Sequence, residues 1–416
     1  MERSGDQFRL PLLPKWQDYT LGLIFLLAWA IPALIRHWDA WPPDLSALYM
    51  AAKFYASGQF ELIYAVSDKM TVWKEAIEAL NRADAYAFPY FYPPLWAALA
   101  SPFASLPPET FFNAVMILHI AMIAGSVVLA FRIARPKIPF YVWSIASVFI
   151  LSLSLISELA LFHNQIQISV TFLTLLAFER YQSGAKISAG LALALAASLK
   201  LSPAVLGLIF LLDKDMRAIA SSVISGLLLL ALSVMIAGID LHAMMLESLQ
   251  KLTGQVTRAP INWNMENALL EIQSLWSGIP LAPIAGETTH LEEPLWLTIT
   301  NTALLLGLTL WVIRQTRSRA AARLMGLLMV FTLTGPLAWI YHYLAVLLLL
   351  PIVFSILPLG RALTVIGLFT LATSITAFET MSRLSQSNNV QTIWGVLVIL
   401  ILLLMLTTSR DGQKAP

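Results

Sequence analysis

The sequence predicts an all-α integral membrane protein that crosses the bilayer about twelve times. Of its 416 residues, 58% are hydrophobic and only 12% are charged, whereas soluble domains carry roughly a quarter charged residues. Apolar stretches that could cross about 30 Å of hydrocarbon recur along the whole chain. The chain has no cysteine, which excludes disulfides, thiolate chemistry and cysteine-based metal sites.

The predicted spans are placed by their apolar runs, and several are shorter than the usual twenty or so residues. They cover residues 19–36, 110–132, 139–156, 165–179, 186–200, 202–213, 217–238, 296–313, 323–339, 341–357, 361–378 and 391–408. Residues 93–107 are apolar but short and rich in proline, which favours a re-entrant or interfacial segment over a span.

The distribution of basic residues predicts the orientation. With the N-terminus inside, the cytoplasmic segments hold 17 of the 26 Lys and Arg residues, and the much longer outer segments hold the other nine. This bias is the positive-inside rule, and it fits an even number of spans with both ends in the cytoplasm. We therefore expect a multi-pass protein of the cytoplasmic (inner or plasma) membrane whose active site faces the non-cytoplasmic side.

Two long outer loops interrupt the spans, at about residues 37–92 and 239–295. In the first loop, apolar residues at helical spacing predict two amphipathic helices on the outer membrane surface. The first helix carries Leu45, Leu48, Tyr49, Ala52 and Tyr55, and the second carries Met70, Trp73, Ile77 and Leu80. No repeat or low-complexity stretch divides the chain, so residues 1–416 are expected to form one integral domain.

Asp44 is the first candidate for chemistry, because it follows Pro42 and Pro43 at the start of the predicted outer helix. Asp at such a position is a good helix N-cap. An ionised Asp just above the membrane could equally act as a general base towards a hydroxyl group. The sequence leaves both interpretations open.

Four further polar residues fall on the same side of the membrane as Asp44: His163, Gln165, Lys200 and His342. Lys200 ends an apolar run and precedes Pro203, which breaks the helix. A lone Lys there could simply snorkel to the surface, and a His among aromatic residues could be an interfacial anchor. Independent anchors would be divided between the two faces, so their coincidence favours a shared site that binds an anion.

Several kinds of site are missing from the sequence. It contains no phosphate-binding loop, no glycine-rich dinucleotide motif after a strand and no metal-ligand spacing such as His-Glu-x-x-His. No basic cluster with interleaved aromatic residues suggests nucleic acid.

Five segments in order along the chain carry a family resemblance. They are residues 44–52 with Gly58 and Tyr64, Tyr92-Pro93-Pro94-Leu95 with Ser101-Pro102, Asn164-Gln165, residues 196–200 with Pro203, and Trp339 to His342. Together they resemble the motifs of glycosyltransferase family 87. The sequence departs from the family pattern at His163-Asn164, in having one His where a pair is common, and in matching an Asn-x-Ser element only loosely with residues 264–267.

The resemblance implies a GT-C fold and an inverting, metal-independent transferase. Such an enzyme takes a hexose, typically mannose, from a polyprenyl-phosphate donor to a lipid or glycan acceptor and needs no cofactor. By resemblance, Asp44 is the catalytic base and Lys200 and His342 bind the donor phosphate. The residues expected to bind substrate are Tyr49, Tyr64, Tyr92, His163, Asn164, Gln165, Asn267 and Tyr341.

Two other functions share this hydropathy pattern. A transporter or flippase for lipid-linked sugars would place polar residues near the bilayer midplane on broken helices, whereas here they gather at the outer edge. A polymerase or ligase of lipid-linked glycans would use arginines of the outer loops, and the second loop offers only Lys251 and Arg258.

Overall fold

The computed structural model describes residues 13–64, 70–82, 84–251, 253–279, 281, 288–385 and 387–409. Most of these residues are helical, which confirms the predicted class. Five of the described helices are long and apolar enough to cross a membrane, and a sixth span results if a helix pair bent by 118° counts as one. The other predicted spans correspond to apolar helical segments of only 10–17 residues, so the count of twelve is not confirmed.

The helices are labelled in chain order. The first ten are α1 (Lys15–His37), α2 (Pro43–Ala56), α3 (Met70–Glu78), α4 (Pro94–Ala100), α5 (Pro108–Ala134), α6 (Phe140–Leu153), α7 (Leu155–Phe162), α8 (Gln167–Gln182), α9 (Lys186–Leu199) and α10 (Leu208–Leu212). The others are α11 (Met216–Ala237), α12 (Ile239–Gln250), α13 (Met265–Ser277), α14 (Leu295–Gln315), α15 (Ala320–Leu333), α16 (Leu344–Leu349), α17 (Val353–Ile356), α18 (Leu359–Ala372), α19 (Ile375–Ser382) and α20 (Val390–Thr408). Short 3-10 segments lie at Phe60–Leu62, Ser101–Phe103, Ser202–Gly207, Ile340–Tyr343 and Leu350–Ile352.

The first outer loop forms its own apolar core against the ends of the longer helices. Leu45, Tyr49, Met50 and Trp73 are fully buried in it, together with residues of α4, α5 and α8. The prediction that α2 lies on the membrane surface is wrong, because small residues such as Ala51 let neighbouring elements pack around most of the helix.

The predicted helix at 70–80 is present as α3, with a buried apolar side and charged residues on the other side. The proline-rich segment is the short helix α4 followed by a 3-10 turn, as expected for a segment that does not span.

The second outer loop is more ordered than the sequence suggested. Two antiparallel strands, β1 (Gln255–Arg258) and β2 (Thr289–Glu292), pair from Gln255 with Glu292 to Arg258 with Thr289. Four-residue strands are too short to be recognised by alternation in a single sequence.

Charged pairs gather at the ends of the helices opposite Asp44. Lys186 binds Asp215 (3.2 Å), and Arg323 binds Asp213 (3.0 Å). Lys186 begins α9 and Lys200 follows its last residue, so this charged layer and the residues around Lys200 lie at opposite ends of the same helix.

Candidate functional site

Asp44 is the second residue of α2, not its cap. The helix begins at Pro43, and the hydrogen bonds described for the Asp44 carboxylate come from side chains and not from the backbone amides of the first turn. The Tyr341 hydroxyl donates to its Oδ2 (3.3 Å), and His163 Nδ1 lies 3.4 Å from the same atom. Capping therefore does not explain this residue. Its side chain, 14% exposed, faces other polar side chains.

The surroundings of Asp44 change its acidity. Burial raises the pKa of the Asp44 carboxyl to about 7, and the Lys200 ammonium and hydrogen bonds from Tyr341 and Gln165 offset only part of that rise. Loss of hydration disfavours the charged form, which is why burial acts in this direction. A carboxyl with a pKa near neutrality is suited to accept a proton in a reaction at that pH.

The bend between α7 and α8 forms the second side of the site. His163 is 6% exposed, and its Nδ1 has no hydrogen-bond partner among the residues that the structure describes. Its backbone carbonyl accepts the Leu45 N–H (3.3 Å), which fixes the start of α2 against the bend. On the other side of Asn164, the Gln165 Oε1 accepts the Tyr92 hydroxyl (2.9 Å). The bend thus brings His163 and Gln165 to Asp44 from the two sides of Asn164.

Lys200 and His342 form the third side. The Lys200 Nζ lies 2.5 Å from His342 Nε2, and no ion pair joins Lys200 to a carboxylate among the described residues. The end of α9 is held in place by the Trp96 indole, which donates to the Ser198 carbonyl (2.6 Å). The ammonium acts on Asp44 through its charge yet stays available to an incoming anion.

Aromatic rings surround His163. Its ring centroid lies 5.1 Å from that of Phe162, 5.8 Å from Phe88 and 5.8 Å from Tyr341. Phe88 and Phe162 remain 38% and 46% exposed, and the Phe88 N–H donates to the Pro43 carbonyl next to Asp44. Aromatic side chains around a few convergent polar groups are the usual composition of a small-molecule site.

Four of the residues expected to bind substrate do not face the site. One of them, Asn164, is fully buried, with its amide bound to His119 and to the Phe112 carbonyl. Tyr49 packs on Phe111 and donates its hydroxyl to the Leu106 carbonyl (2.8 Å). The Tyr64 hydroxyl donates to the Tyr92 carbonyl (2.7 Å), one layer behind the site. Asn267 is fully buried within the second loop, where its amide binds backbone carbonyls of residues 259 and 262.

The structure also adds residues that the sequence interpretation missed. Asn262 and Trp263 hold the His342 segment, since the Asn262 Oδ1 accepts the Ala338 N–H (2.8 Å) and the Trp263 N–H donates to the Ala338 carbonyl (2.8 Å). The Tyr343 hydroxyl donates to the Trp263 carbonyl (2.7 Å). These contacts join segments that are about eighty residues apart in sequence. The one feature of the sequence that could have indicated Asn262 is its polar side chain inside an apolar region.

Within the part of the chain that the structure describes, no group of three or more His, Asp or Glu side chains is placed to hold a metal ion. The cationic group of the site is the Lys200 ammonium, supported by the His342 imidazole.

Comparison with known proteins identifies the family of the chain. A search of curated proteins found no match. The sequence model of glycosyltransferase family 87 matches residues 90–338, more than half of the chain. The matched region contains Tyr92, the bend at residues 163–165 and Lys200, while Asp44 and His342 lie outside it. With its apolar helices and this match, the chain belongs to glycosyltransferase family 87 and is a membrane glycosyltransferase.

Proposed function

We propose that the protein transfers a hexose, mannose in the first instance, from a polyprenyl-phosphate donor to a lipid or glycan acceptor of the cell envelope. The reaction takes place on the non-cytoplasmic face of the cytoplasmic membrane, inverts the anomeric centre and needs no metal. The lipid tail of the donor lies among the apolar helices, which accounts for an enzyme built in the membrane from about twelve spans.

One observation carries the proposal: a mostly buried carboxylate shares one site with an ammonium that forms no ion pair with a carboxylate in the described parts of the chain. Asp44 feels the charge of Lys200, yet the Lys200 Nζ contacts the His342 imidazole. An acid–base group and an anion-binding group are therefore separate but close. This division is what displacement of a phosphate leaving group by a hydroxyl requires.

The reaction follows from these positions. Asp44 accepts the proton of the acceptor hydroxyl as its oxygen forms a bond to the anomeric carbon. The bond from that carbon to the phosphate oxygen breaks, and the polyprenyl phosphate leaves with the electron pair. Lys200 stabilises the charge that develops on the phosphate, as fixed cations do in low-dielectric sites. A single displacement from the face opposite the leaving group inverts the anomeric configuration.

The test is sugar transfer by the full-length protein in liposomes. The donor is synthetic polyprenyl-phosphate mannose with a radioactive sugar, and the acceptors are the extracted lipids and glycans of the host membrane. The variant is Asp44→Asn, which removes the base and keeps the shape of the side chain. Asp39→Asn is the matched control, because Asp39 has a positive φ that Asn tolerates and its hydrogen bonds are to Asn113.

We expect transfer by wild type and Asp39→Asn, and a loss of roughly 10²–10⁴ in rate for Asp44→Asn. Equal transfer by wild type and Asp44→Asn would exclude Asp44 as the base. Transfer only from nucleotide sugars would contradict the polyprenyl-phosphate donor, and a requirement for divalent cations would contradict metal independence.

A further inference from the structure

His119 is a buried histidine that the reaction above does not use. It lies on α5, eleven residues after the helix begins, and is 1% exposed. Its Nδ1 lies 2.7 Å from the Asn164 Oδ1, and its Nε2 lies 3.1 Å from the Ser169 Oγ. A polar ring so deep in an apolar helix needs both partners, since an unpaired buried polar group is costly.

Asn164, the partner of His119, occupies the bend itself. Its φ is +44°, the left-handed region that glycine and asparagine adopt most readily. Both ends of its amide are fixed, because Oδ1 faces His119 and Nδ2 donates to the Phe112 carbonyl (3.0 Å). Both of these anchors belong to α5, so α5 holds the bend between α7 and α8.

The two residues that flank Asn164 are the ones that reach the reacting carboxylate. His163 lies beside Asp44 Oδ2, and Gln165 contributes a hydrogen bond to the same carboxyl. Any rotation at Asn164 would move these two neighbours at once. The conformation of one asparagine therefore determines the groups that surround Asp44.

We propose that His119 is a positioning residue for sugar transfer: its Nδ1–H holds Asn164 in the left-handed conformation that places His163 and Gln165 against Asp44. The expected effect on sugar transfer rests on the proposed function. The expected effect on the surroundings of Asp44 does not, because it can be measured without any substrate.

The directions of the two hydrogen bonds of His119 suggest two variants, each of which keeps one of the bonds. Because the Asn164 Nδ2 donates to Phe112, its Oδ1 is the acceptor and the proton lies on His119 Nδ1. In His119→Asn the new amide N–H can occupy the place of Nδ1 and keep the bond to Asn164. In His119→Gln the longer side chain places its amide near Nε2, so it keeps the bond to Ser169 and loses the bond to Asn164.

The first measurement is the pH dependence of Asp44 labelling by a water-soluble carbodiimide, read by mass spectrometry on the full-length protein in detergent. Carbodiimides react with the protonated carboxyl, so the midpoint reports the acidity of Asp44. Burial raises the pKa of Asp44 to about 7 while Lys200, Tyr341 and Gln165 oppose that rise. If the bend loosens, loss of the Gln165 hydrogen bond raises the pKa of Asp44 and entry of water lowers it. Because burial is the largest cause of the shift and the Gln165 bond the smallest, hydration decides the sign, and the midpoint falls towards the ordinary value of about 4.

We expect a midpoint like that of wild type in His119→Asn, and a fall of about one pH unit or more in His119→Gln. Sugar transfer should follow the same order, with kcat reduced about tenfold or more in His119→Gln and the KM for the donor little changed. His242→Asn and His242→Gln are the controls, since His242 also uses both ring nitrogens, towards Ser233 and the Gly238 carbonyl. Neither control should move the midpoint.

Two results would overturn the proposal. The first is an unchanged midpoint in both His119 variants, and the second is an equal fall in both, which would make His119 a packing residue. If His119→Gln does not fold, Asn164→Gly replaces it, because glycine accepts the positive φ and removes the same hydrogen bond. If wild type transfers no sugar at all, the proposed function fails, while the labelling midpoints still decide the role of His119.

Discussion

The Lys200 ammonium donates to the His342 imidazole, with 2.5 Å between Nζ and Nε2. The other ring nitrogen of His342, Nδ1, faces the Leu337 carbonyl at 3.0 Å and must therefore carry the proton. His342 is thus a neutral acceptor in this arrangement, and Lys200 carries the positive charge of the pair. We infer that His342 aims Lys200 at the phosphate and does not supply a second cation.

This relationship predicts how the two residues respond to substitution. Lys200→Met should lower kcat/KM by roughly 10²–10³, the usual effect of removing one stabilising group from a developing charge. His342→Gln should keep most of the activity, since its amide oxygen can accept the Lys200 bond, whereas His342→Leu should lose it. Steady-state kinetics with varied donor would measure all three. Activity in His342→Leu equal to that of His342→Gln would show that the bond to Lys200 is irrelevant.

The acidity of Asp44 predicts the pH dependence of transfer. Burial raises the pKa of Asp44 to about 7, and the base must be ionised to accept a proton. The value of kcat/KM should therefore rise with pH on the acid side of its profile, with the midpoint of that rise near pH 7. Initial rates between pH 5 and 9 at low donor concentration would test this, with buffers of constant ionic strength. A flat profile across this range would be incompatible with Asp44 as the base.

Much of the fold could be predicted because its causes are local. Long apolar helices such as α5 and α20 follow from composition alone, and α3 follows from the spacing of Trp73 and Ile77. The position of α2 could not be predicted, because an amphipathic helix can lie on lipid or pack against protein with the same pattern. The short spans predicted at 186–200 and 202–213 match helical segments of nearly the same bounds, but the 3-10 geometry of Ser202–Gly207 before α10 could not be predicted, since hydropathy does not show the type of helix.

The residues of the site could be predicted where a family motif contains them. Asp44, His163, Gln165, Tyr92 and Tyr341 do meet, although they are far apart in sequence. Motif resemblance cannot tell a residue that faces the site from one that supports it. From the sequence, Tyr49, Tyr64 and Asn267 could not be distinguished from residues that face the site. Only their hydrogen bonds to backbone carbonyls reveal a supporting role.

The second outer loop depends on a buried ion pair. Arg258 and Glu271 are both fully buried, with 2.7 Å between Nε and Oε1, and Asn388 and Asn389 also donate to the Glu271 carboxylate. Arg258→Met should cost roughly 3–5 kcal/mol, because it leaves a buried carboxylate without its cation.

Thermal unfolding in detergent, followed by tryptophan fluorescence, would measure that loss. Lys251→Met is the control, since its pair with Glu247 is exposed and such pairs contribute about 0–1 kcal/mol. The double variant Arg258→Met with Glu271→Met should recover part of the stability. Equal effects of Arg258→Met and Lys251→Met would contradict the structural role of the buried pair.

Replacing Gly395 on α20 by Ala should destabilise the protein, whereas such a change inside a helix usually stabilises it. Replacing Gly by Ala inside a helix normally stabilises it by about 1 kcal/mol. Here a Cβ would overlap the Trp263 ring, which packs directly on Gly395. Trp263 in turn holds the segment that carries His342, through the Ala338 and Tyr343 contacts. Gly395→Ala should therefore lower the melting temperature and raise the KM for the donor together.

The control for Gly395→Ala is Gly226→Ala on α11, where no neighbouring atom lies within reach of a new Cβ. That variant should unfold at the same temperature as wild type or slightly above it. The double variant Gly395→Ala with Trp263→Leu should regain part of the lost stability, because the smaller side chain removes the overlap. Its donor KM should also recover in part, because the contacts with Ala338 and Tyr343 are made by the backbone of residue 263 and remain. A Gly395→Ala protein as stable as Gly226→Ala would show that the Trp263 ring can move aside without disturbing the fold.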